Sequence, residues 1–172
     1  MKYDGPIERR IVFGVWPTAS NSAYLGTYNR FLNGSSFSGS SLCAYDRAAM
    51  LSGGNATQIC LETSLPSFLP ADVDGATPPT EAPVFVDLQN TGSLFLYQMN
   101  NLDFANPGAA SLSGYSIPVA SFSYACSGGA CIPQPGTTKL LDALGGRLMY
   151  RLAYRVFGDH VSMVVKIGRA HV

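Results

Sequence analysis

Short apolar runs that recur about every ten residues, separated by turn-forming residues, constrain the fold of this chain more than any other feature. The first four runs are IVFGVWP, AYLGTYNRFL, SGSSLCAYDR and ATQICLET. The 172 residues include 18 glycines and 11 prolines, which favour turns, and few runs rich in Ala, Glu, Lys and Leu. The pattern therefore predicts an all-β fold of antiparallel strands, because no helix is available for a parallel crossover.

The rest of the chain continues the same pattern with two exceptions. VFVDL and SLFLYQMN flank QNTG and predict a hairpin, and YSIPVASFSYAC, GRLMYRLAYRVFGD and VSMVV predict further strands. The stretch LPSFLPADVDGATPPTEAP contains five prolines and is predicted to be a loop. Asp46 is a good helix N-cap and Gly53 a good stop, so the residues between them predict one helical turn.

The charge and hydropathy of the chain argue against a nucleic acid or a membrane as its partner. The formal net charge is zero and 13% of residues are charged, which argues against nucleic-acid binding and against binding to an anionic membrane surface. No stretch approaches the roughly 20 apolar residues of a transmembrane helix. The N-terminal MKYDGPIERRIVFGVWP lacks the apolar region of a signal peptide, so the chain is either not exported or lacks its true N-terminus.

Four cysteines allow three disulfide pairings. Cys126 and Cys131 bracket the turn-like SGGA, and Cys43 and Cys60 lie on consecutive predicted strands. Locality therefore predicts the bridges Cys43–Cys60 and Cys126–Cys131, which would indicate an oxidising compartment. Free thiols, or a zinc site that includes His160, are the alternatives, although the cysteine spacing is unlike that of structural zinc sites.

The stretch RLMYRLAYRVF alternates more regularly than any other. As a strand it would place Leu148, Tyr150, Leu152, Tyr154 and Val156 on one face, and Arg147, Arg151 and Arg155 on the other. The three arginines predict either a solvated, salt-bridged face or a strip that binds an anion or a sugar.

Motifs for metal binding and catalysis are weak. Asp72 and Asp74 precede Gly75 with the alternation of a calcium loop, but the downstream Glu81 is at the wrong spacing, so a solvated turn is the alternative. Calcium is the sole cofactor that the sequence suggests. Trp16, the single tryptophan, could stack on a sugar or lie in the core. No G-x-S-x-G or H-E-x-x-H motif is present, and the sequence does not pair the carboxylates that a glycosidase needs.

Three segments carry a resemblance to a known family: CAYDRAAMLSGGNATQ, LPADVDGATPP and CSGGACIPQPGTTKLLDALGGRLMYRLAYRVFGDHVSMVV. They resemble a family of large, uncharacterised bacterial extracellular proteins, and the resemblance covers most of residues 12–165. RLMYRLAYR followed by FGDH is its most specific motif. The resemblance implies a β-propeller-like architecture of several blades and an extracellular or cell-surface location. It implies no catalytic activity.

The last six residues, IGRAHV, do not follow the strand pattern. In the family that the chain resembles, the strand after SMVV continues into more strands, and ATC-GGA-AGA-GCA-CAC-GTC, a common sequencing adapter, encodes IGRAHV. Residues 167–172 are therefore expected to be an artefact of assembly, as in a metagenomic sequence. Residues 1–166 are expected to be a single all-β domain or a fragment of an incomplete propeller, with the signal peptide missing.

Two functions follow from these observations. The first is a non-catalytic, secreted or cell-surface module of the β-propeller type that binds a glycan or a protein. The alternative is a fragment of a propeller-fold, glycoside-active enzyme whose catalytic residues lie partly outside this chain.

Overall fold

The computed structural model of the chain describes residues 11–18, 21–34, 36–143 and 145–167. It contains one short helix, α1 (Arg47–Ser52), and two 3₁₀ turns, Pro107–Ala109 and Ala125–Gly128, within these residues. The described strands are β1 (Ile11–Trp16), β2 (Ala23–Leu32), β3 (Ser36–Asp46), β4 (Gln58–Thr63), β5 (Leu69–Asp74), β6 (Val84–Asn90), β7 (Ser93–Asn100), β8 (Ser111–Pro118), β9 (Ala130–Ile132), β10 (Leu141–Asp142), β11 (Leu148–Val156) and β12 (Val161–Ile167). The prediction of an all-β fold is confirmed.

Strands β1 to β4 form an antiparallel sheet in chain order. Alternate residues of β2 and β3 face the core, so that Leu25 lies opposite Ala44 and Thr27 opposite Leu42, and all four are buried. Helix α1 connects β3 to β4 as predicted. The Asp46 side chain accepts a hydrogen bond from the backbone of Ala49 at 3.0 Å, and Gly53 ends the helix with φ of 72°.

A second sheet has six strands in the order β12-β11-β5-β6-β7-β8. Its β6–β7 hairpin is the one predicted, although Thr91 and Gly92 alone form the turn. Strands β9 and β10 form a separate two-stranded ribbon. The sheets contact each other through β1 and β5, where the β1 backbone at Val15 donates a hydrogen bond to the Asp72 carboxylate at 3.2 Å.

Two expectations about the second sheet were wrong. Residues 69–74 of the proline-rich segment form strand β5 rather than a loop. Proline is tolerated there because Pro70 lies at the start of the strand, and Ala71 to Asp74 carry the pairing with β11. That pairing is parallel, so the sheet is mixed rather than wholly antiparallel. The crossover between β5 and β11 consists of strands, not of the helix that the sequence argument required.

The hydrophobic core lies between the two sheets. Its largest fully buried side chains include Trp16, Phe68, Phe85, Leu96 and Met99. Strand β11 contributes to the same core. Four strands in chain order are also what a propeller blade contains, whereas the six-stranded mixed sheet is not a blade of that kind.

The predicted alternation of β11 holds for most of the strand. Leu152 and Tyr154 are buried in the core, and Arg155 points away from it. Tyr150 is exposed, unlike the prediction, because the register with β12 shifts between Met149 and Ala153. Residue Ile167 is the last residue of β12 and lies opposite Leu148, whereas residues 168–172 of the expected artefact lie outside the described part.

Both predicted disulfides are present, Cys43–Cys60 and Cys126–Cys131, and no cysteine is free. Cys43 and Cys60 lie directly opposite each other on β3 and β4, with their Cα atoms 4.1 Å apart. The alternatives of free thiols and of a zinc site built on cysteine are therefore wrong. In the described residues, α1 is too short to cross a membrane, and no other helix is long and apolar enough to do so.

Candidate functional site

A cavity of about 420 Å³ lies where the end of β1, the end of β7 and the residues before β6 meet. Its floor is apolar and buried, and consists of Trp16, Pro79, Pro83 and Met99. Ligand sites in proteins typically enclose about 300 to 1,000 Å³ and combine an apolar lining with a few polar groups. The cavity has the size and the floor of such a site.

Polar side chains form the rim of the same cavity. They are Thr18, Asn21, Thr80, Glu81 and Asn101, all of them partly or fully exposed. Hydroxyl and amide groups can donate and accept hydrogen bonds, whereas the Glu81 carboxylate only accepts them. Glu81 is the one charged residue among the described residues that line the cavity, so its surface carries a net negative charge.

The Glu81 carboxylate is held in place from two sides. Its Oε2 accepts a hydrogen bond from the Tyr154 hydroxyl at 3.1 Å and another from the Thr80 backbone at 3.2 Å. Within the described part of the chain no donor reaches Oε1. Glu81 therefore offers a fixed oxygen with free acceptor capacity at the rim.

Tyr154 connects Glu81 to the core. Its ring lies edge-on to Trp16, with ring centroids 4.7 Å apart, and is buried. Burial, followed by the negative charge of Glu81 and the hydrogen bond to it, raises the pKa of Tyr154 well above its usual value. The hydroxyl consequently stays protonated and remains a donor to Glu81 at every physiological pH.

Trp16 lies in the core and at the cavity wall rather than on an open surface. It has no exposed surface, and its ring nitrogen finds no acceptor among the described residues. The structure therefore places this side chain beneath the cavity surface, with its ring packed against Tyr154, rather than as an open stacking platform for a sugar.

Arg151 forms a separate ionic cluster on the opposite face of β11. Its guanidinium donates to Asp72 Oδ2 at 3.0 Å and to Asp74 Oδ2. The hydrogen bond with Asp74, which outweighs the cost of burial, raises the pKa of Arg151 above its usual value. Because Asp72 also accepts from the β1 backbone at Val15, one carboxylate joins β1, β5 and β11. Of the two interpretations of the arginines, Arg151 has the geometry of the salt-bridged one.

The other two arginines lie apart from this cluster. Arg147 precedes β11 and is exposed, so it lies outside the strand that was predicted to align all three. Arg155 lies opposite Asp74 in the parallel register, and its guanidinium is 5.2 Å from the centre of the Phe157 ring. An arginine strip of three is therefore not formed.

The two aspartates proposed for calcium do lie on one face of β5, as their spacing predicted. Arg151 contacts both carboxylates, and a cation between them would have to compete with its guanidinium. The described residues contain no group of three or more His, Cys, Asp or Glu placed to hold a metal ion. Calcium binding by Asp72 and Asp74 stays a prediction.

Sequence reasoning named Trp16 but missed Glu81, which lines the same cavity. Glu81 was considered as a calcium ligand and set aside because of its spacing. The spacing was uninformative because Glu81 meets Tyr154 across 73 residues of sequence. The alternation of β11 already placed Tyr154 on the core face of the strand. A buried tyrosine hydroxyl generally has a hydrogen-bond partner, so the sequence did indicate that some acceptor lies near Tyr154.

Comparison of the chain with protein-family models, with curated proteins and with solved structures finds no match.

Proposed function

We propose that this chain is a non-catalytic binding module of an extracellular protein of the β-propeller type, and that its ligand is a neutral glycan held in the Trp16–Glu81 cavity. The observation that carries the proposal is the cavity itself, with a buried apolar floor and a rim of hydroxyl, amide and carboxylate groups. A sugar presents the matching surface, because its C–H faces are apolar and its hydroxyls both donate and accept.

The charge of the lining supports a neutral ligand over an anionic one. Glu81 would repel a carboxylate or sulfate on the ligand, and a sugar hydroxyl can donate to its free Oε1. No arginine lines the cavity among the described residues, and Arg151 is paired with Asp72 and Asp74 on the opposite face of β11.

The size of the site supports a glycan over a protein surface. A cavity of about 420 Å³ accommodates a ligand of one or two sugar rings, whereas a stable protein interface covers hundreds of Å² on each partner. Two disulfides in a chain of this size support an oxidising, extracellular location.

The glycoside-active alternative needs two carboxylates across a cleft. Glu81 is the one carboxylate among the described lining residues. The described lining therefore offers one of the two carboxylates that this reaction uses. Catalysis by residues beyond this chain stays a prediction.

Isothermal titration calorimetry with a panel of neutral hexoses and N-acetylhexosamines tests the proposal. We expect at least one sugar to bind with a dissociation constant on the order of 1 mM. The Glu81→Gln variant should bind that sugar about tenfold more weakly, a loss of about 1.4 kcal/mol. The matched control is Glu62→Gln, whose carboxylate pairs with Arg30 outside the cavity lining, so this variant should not affect binding.

Two results would contradict the proposal. One is an absence of binding heat with every sugar in the panel at about 50 mM, well above the expected dissociation constant. The other is equal weakening of binding by the Glu81 and Glu62 variants, which would place the ligand outside the cavity.

A further inference from the structure

The Cys126–Cys131 disulfide lies at the surface of the molecule. Cys131 is exposed and Cys126 is half-buried, and none of the residues in the Ala125–Gly128 turn or in β9 is buried. A thiol in solution therefore reaches this disulfide without any opening of the hydrophobic core. Exposed or strained disulfides are the ones that exchange most readily with thiols.

The backbone inside this bridge has an unfavourable conformation. Cys126 and Ser127 have φ values of 54° and 52°, and Gly128 follows with 83°. The left-handed region is unfavourable for residues with a β-carbon, which occupy it singly rather than in succession. The turn is closed by the disulfide and by a hydrogen bond from the Gly129 backbone N–H to the Cys126 carbonyl at 3.0 Å. Because no buried residue holds the turn, breaking the disulfide lets Cys126 and Ser127 adopt ordinary backbone conformations.

The Cys43–Cys60 disulfide has different surroundings. Cys43 has no exposed surface, although Cys60 is exposed on β4. The two cysteines lie directly opposite each other, and β3 and β4 are paired on both sides of them. A thiol that attacks Cys60 has to release Cys43 as a buried thiolate, which is unfavourable. The paired strands also keep that thiolate beside the new bond, so the bridge closes again.

We propose that Cys126–Cys131 is a thiol-exchange site, whereas Cys43–Cys60 is a structural bridge. The co-reactant of the exchange site is a low-molecular-weight thiol. Its thiolate attacks the exposed sulfur of Cys131, the bond between the two cysteines breaks, and Cys126 leaves as a thiolate that takes a proton from water. A second thiolate attacks the mixed disulfide and releases Cys131. The protein disulfide thus gains two electrons and two protons, and the two small thiols leave as their own disulfide.

The exchange acts on the β9–β10 ribbon and leaves the two sheets intact. All residues of β9 and β10 are exposed, and β9 begins at Ala130, directly after the left-handed turn. The ribbon therefore has no buried residue that fixes its position when the turn relaxes. The site links the redox state of thiols around the protein to the conformation of this surface ribbon.

Partial reduction by glutathione tests the proposal. The folded wild-type chain is equilibrated with mixtures of reduced and oxidised glutathione, free thiols are trapped with N-ethylmaleimide, and peptide mass spectrometry counts the labels. The glutathione ratio is the squared concentration of the reduced form over the concentration of the oxidised form. At half reduction this ratio should be at least about tenfold lower for Cys126–Cys131 than for Cys43–Cys60. At early times in reduced glutathione alone, tandem mass spectrometry should find the glutathione adduct on Cys131.

Ser127→Gly tests the part played by the backbone. Glycine adopts φ near 52° without a steric penalty, so the variant should stabilise the oxidised turn and raise the glutathione ratio at half reduction about fivefold. Ser123→Gly is the matched control. Ser123 is also exposed, but it lies outside the bridged loop and its φ is not positive, so this variant should leave the ratio unchanged.

Equal reduction of the two bridges, or earlier reduction of Cys43–Cys60, would overturn the proposal. So would a Cys126–Cys131 bridge that stays unlabelled in about 10 mM reduced glutathione. An unchanged ratio in Ser127→Gly would refute the contribution of the left-handed turn, and an early adduct on Cys126 would refute the assigned point of attack.

Discussion

Replacing Arg151 with methionine removes the cation that joins three strands while keeping most of the side-chain volume. Asp72 then loses its partner in a site where its side chain is 18% exposed, and Asp74 loses one where it is 43% exposed. An incompletely solvated carboxylate without its hydrogen bond costs about 1–3 kcal/mol, whereas an exposed ion pair contributes about 0–1 kcal/mol. Arg151 is itself 35% exposed, so solvent screening favours the lower part of these ranges.

The expected loss is therefore about 1–2 kcal/mol in the free energy of unfolding, which corresponds to a fall in Tm of roughly 2–8 °C for a chain of this length. Urea unfolding followed by circular dichroism measures the first value, and calorimetry measures the second. Arg155→Met is the matched control on the same face of β11, and it should cost less than about 1 kcal/mol because Arg155 is exposed.

Double-mutant cycles separate the stabilisation that Arg151 gains from Asp72 from the stabilisation that it gains from Asp74. Arg151→Met and Asp72→Asn should be coupled by about 1–2 kcal/mol, and Arg151→Met and Asp74→Asn by less than about 1 kcal/mol. Equal losses in the Arg151 and Arg155 variants, or a coupling to Asp72 near zero, would refute the view that this cluster joins the strands.

Three further predictions concern the core and its covalent links. Above pH 10 the unfolded Tyr154 loses its proton while the folded one keeps it, so stability should fall by up to about 1.4 kcal/mol per pH unit. In Tyr154→Phe this fall of the free energy of unfolding with pH should be absent when urea unfolding is measured between pH 8 and pH 11. If the free energy of unfolding fell as steeply with pH in the variant as in the wild type, the raised pKa of Tyr154 would be contradicted. Gly14→Ala should destabilise the chain by more than about 3 kcal/mol, because the added methyl overlaps a carbonyl oxygen of β5. Gly108→Ala, where the methyl meets nothing within 4 Å, should be nearly neutral, and equal Tm values for the two variants would exclude this close approach. Replacing Cys43 and Cys60 together with alanine should lower the unfolding free energy by about 3 kcal/mol in urea, as expected for a bridge between residues 17 apart in sequence. A loss below about 1 kcal/mol would contradict that entropic argument.

Features set by neighbouring residues could be predicted from the sequence. The helix at Arg47–Ser52 followed from Asp46 and Gly53, and the strand Ala23–Leu32 followed from its alternation. Both disulfides followed from locality, since a hairpin or turn brings the paired cysteines together. In each case the deciding contacts span at most about 20 residues.

Features set by distant parts of the chain could not be predicted. Strand β5 was hidden because the five prolines of the surrounding segment argued against a strand. It forms through parallel pairing with β11, more than 70 residues later. The contacts of Glu81 with Tyr154 and of Asp72 with Arg151 depend on that pairing, so their spacing in the sequence carried no signal. The candidate site is built from contacts between residues far apart in sequence. The sequence therefore pointed to Trp16 as a candidate but did not predict which residues surround it.

The most direct test of the central claim uses the fluorescence of Trp16, since it is the single tryptophan and lies at the cavity wall. Titration with the sugar that binds in calorimetry should change the Trp16 emission in a saturable way, with the same dissociation constant. In Glu81→Gln the same change should require about tenfold more sugar. Emission that stays constant while the calorimeter records saturation would show that the sugar binds elsewhere and would contradict the assignment of this cavity.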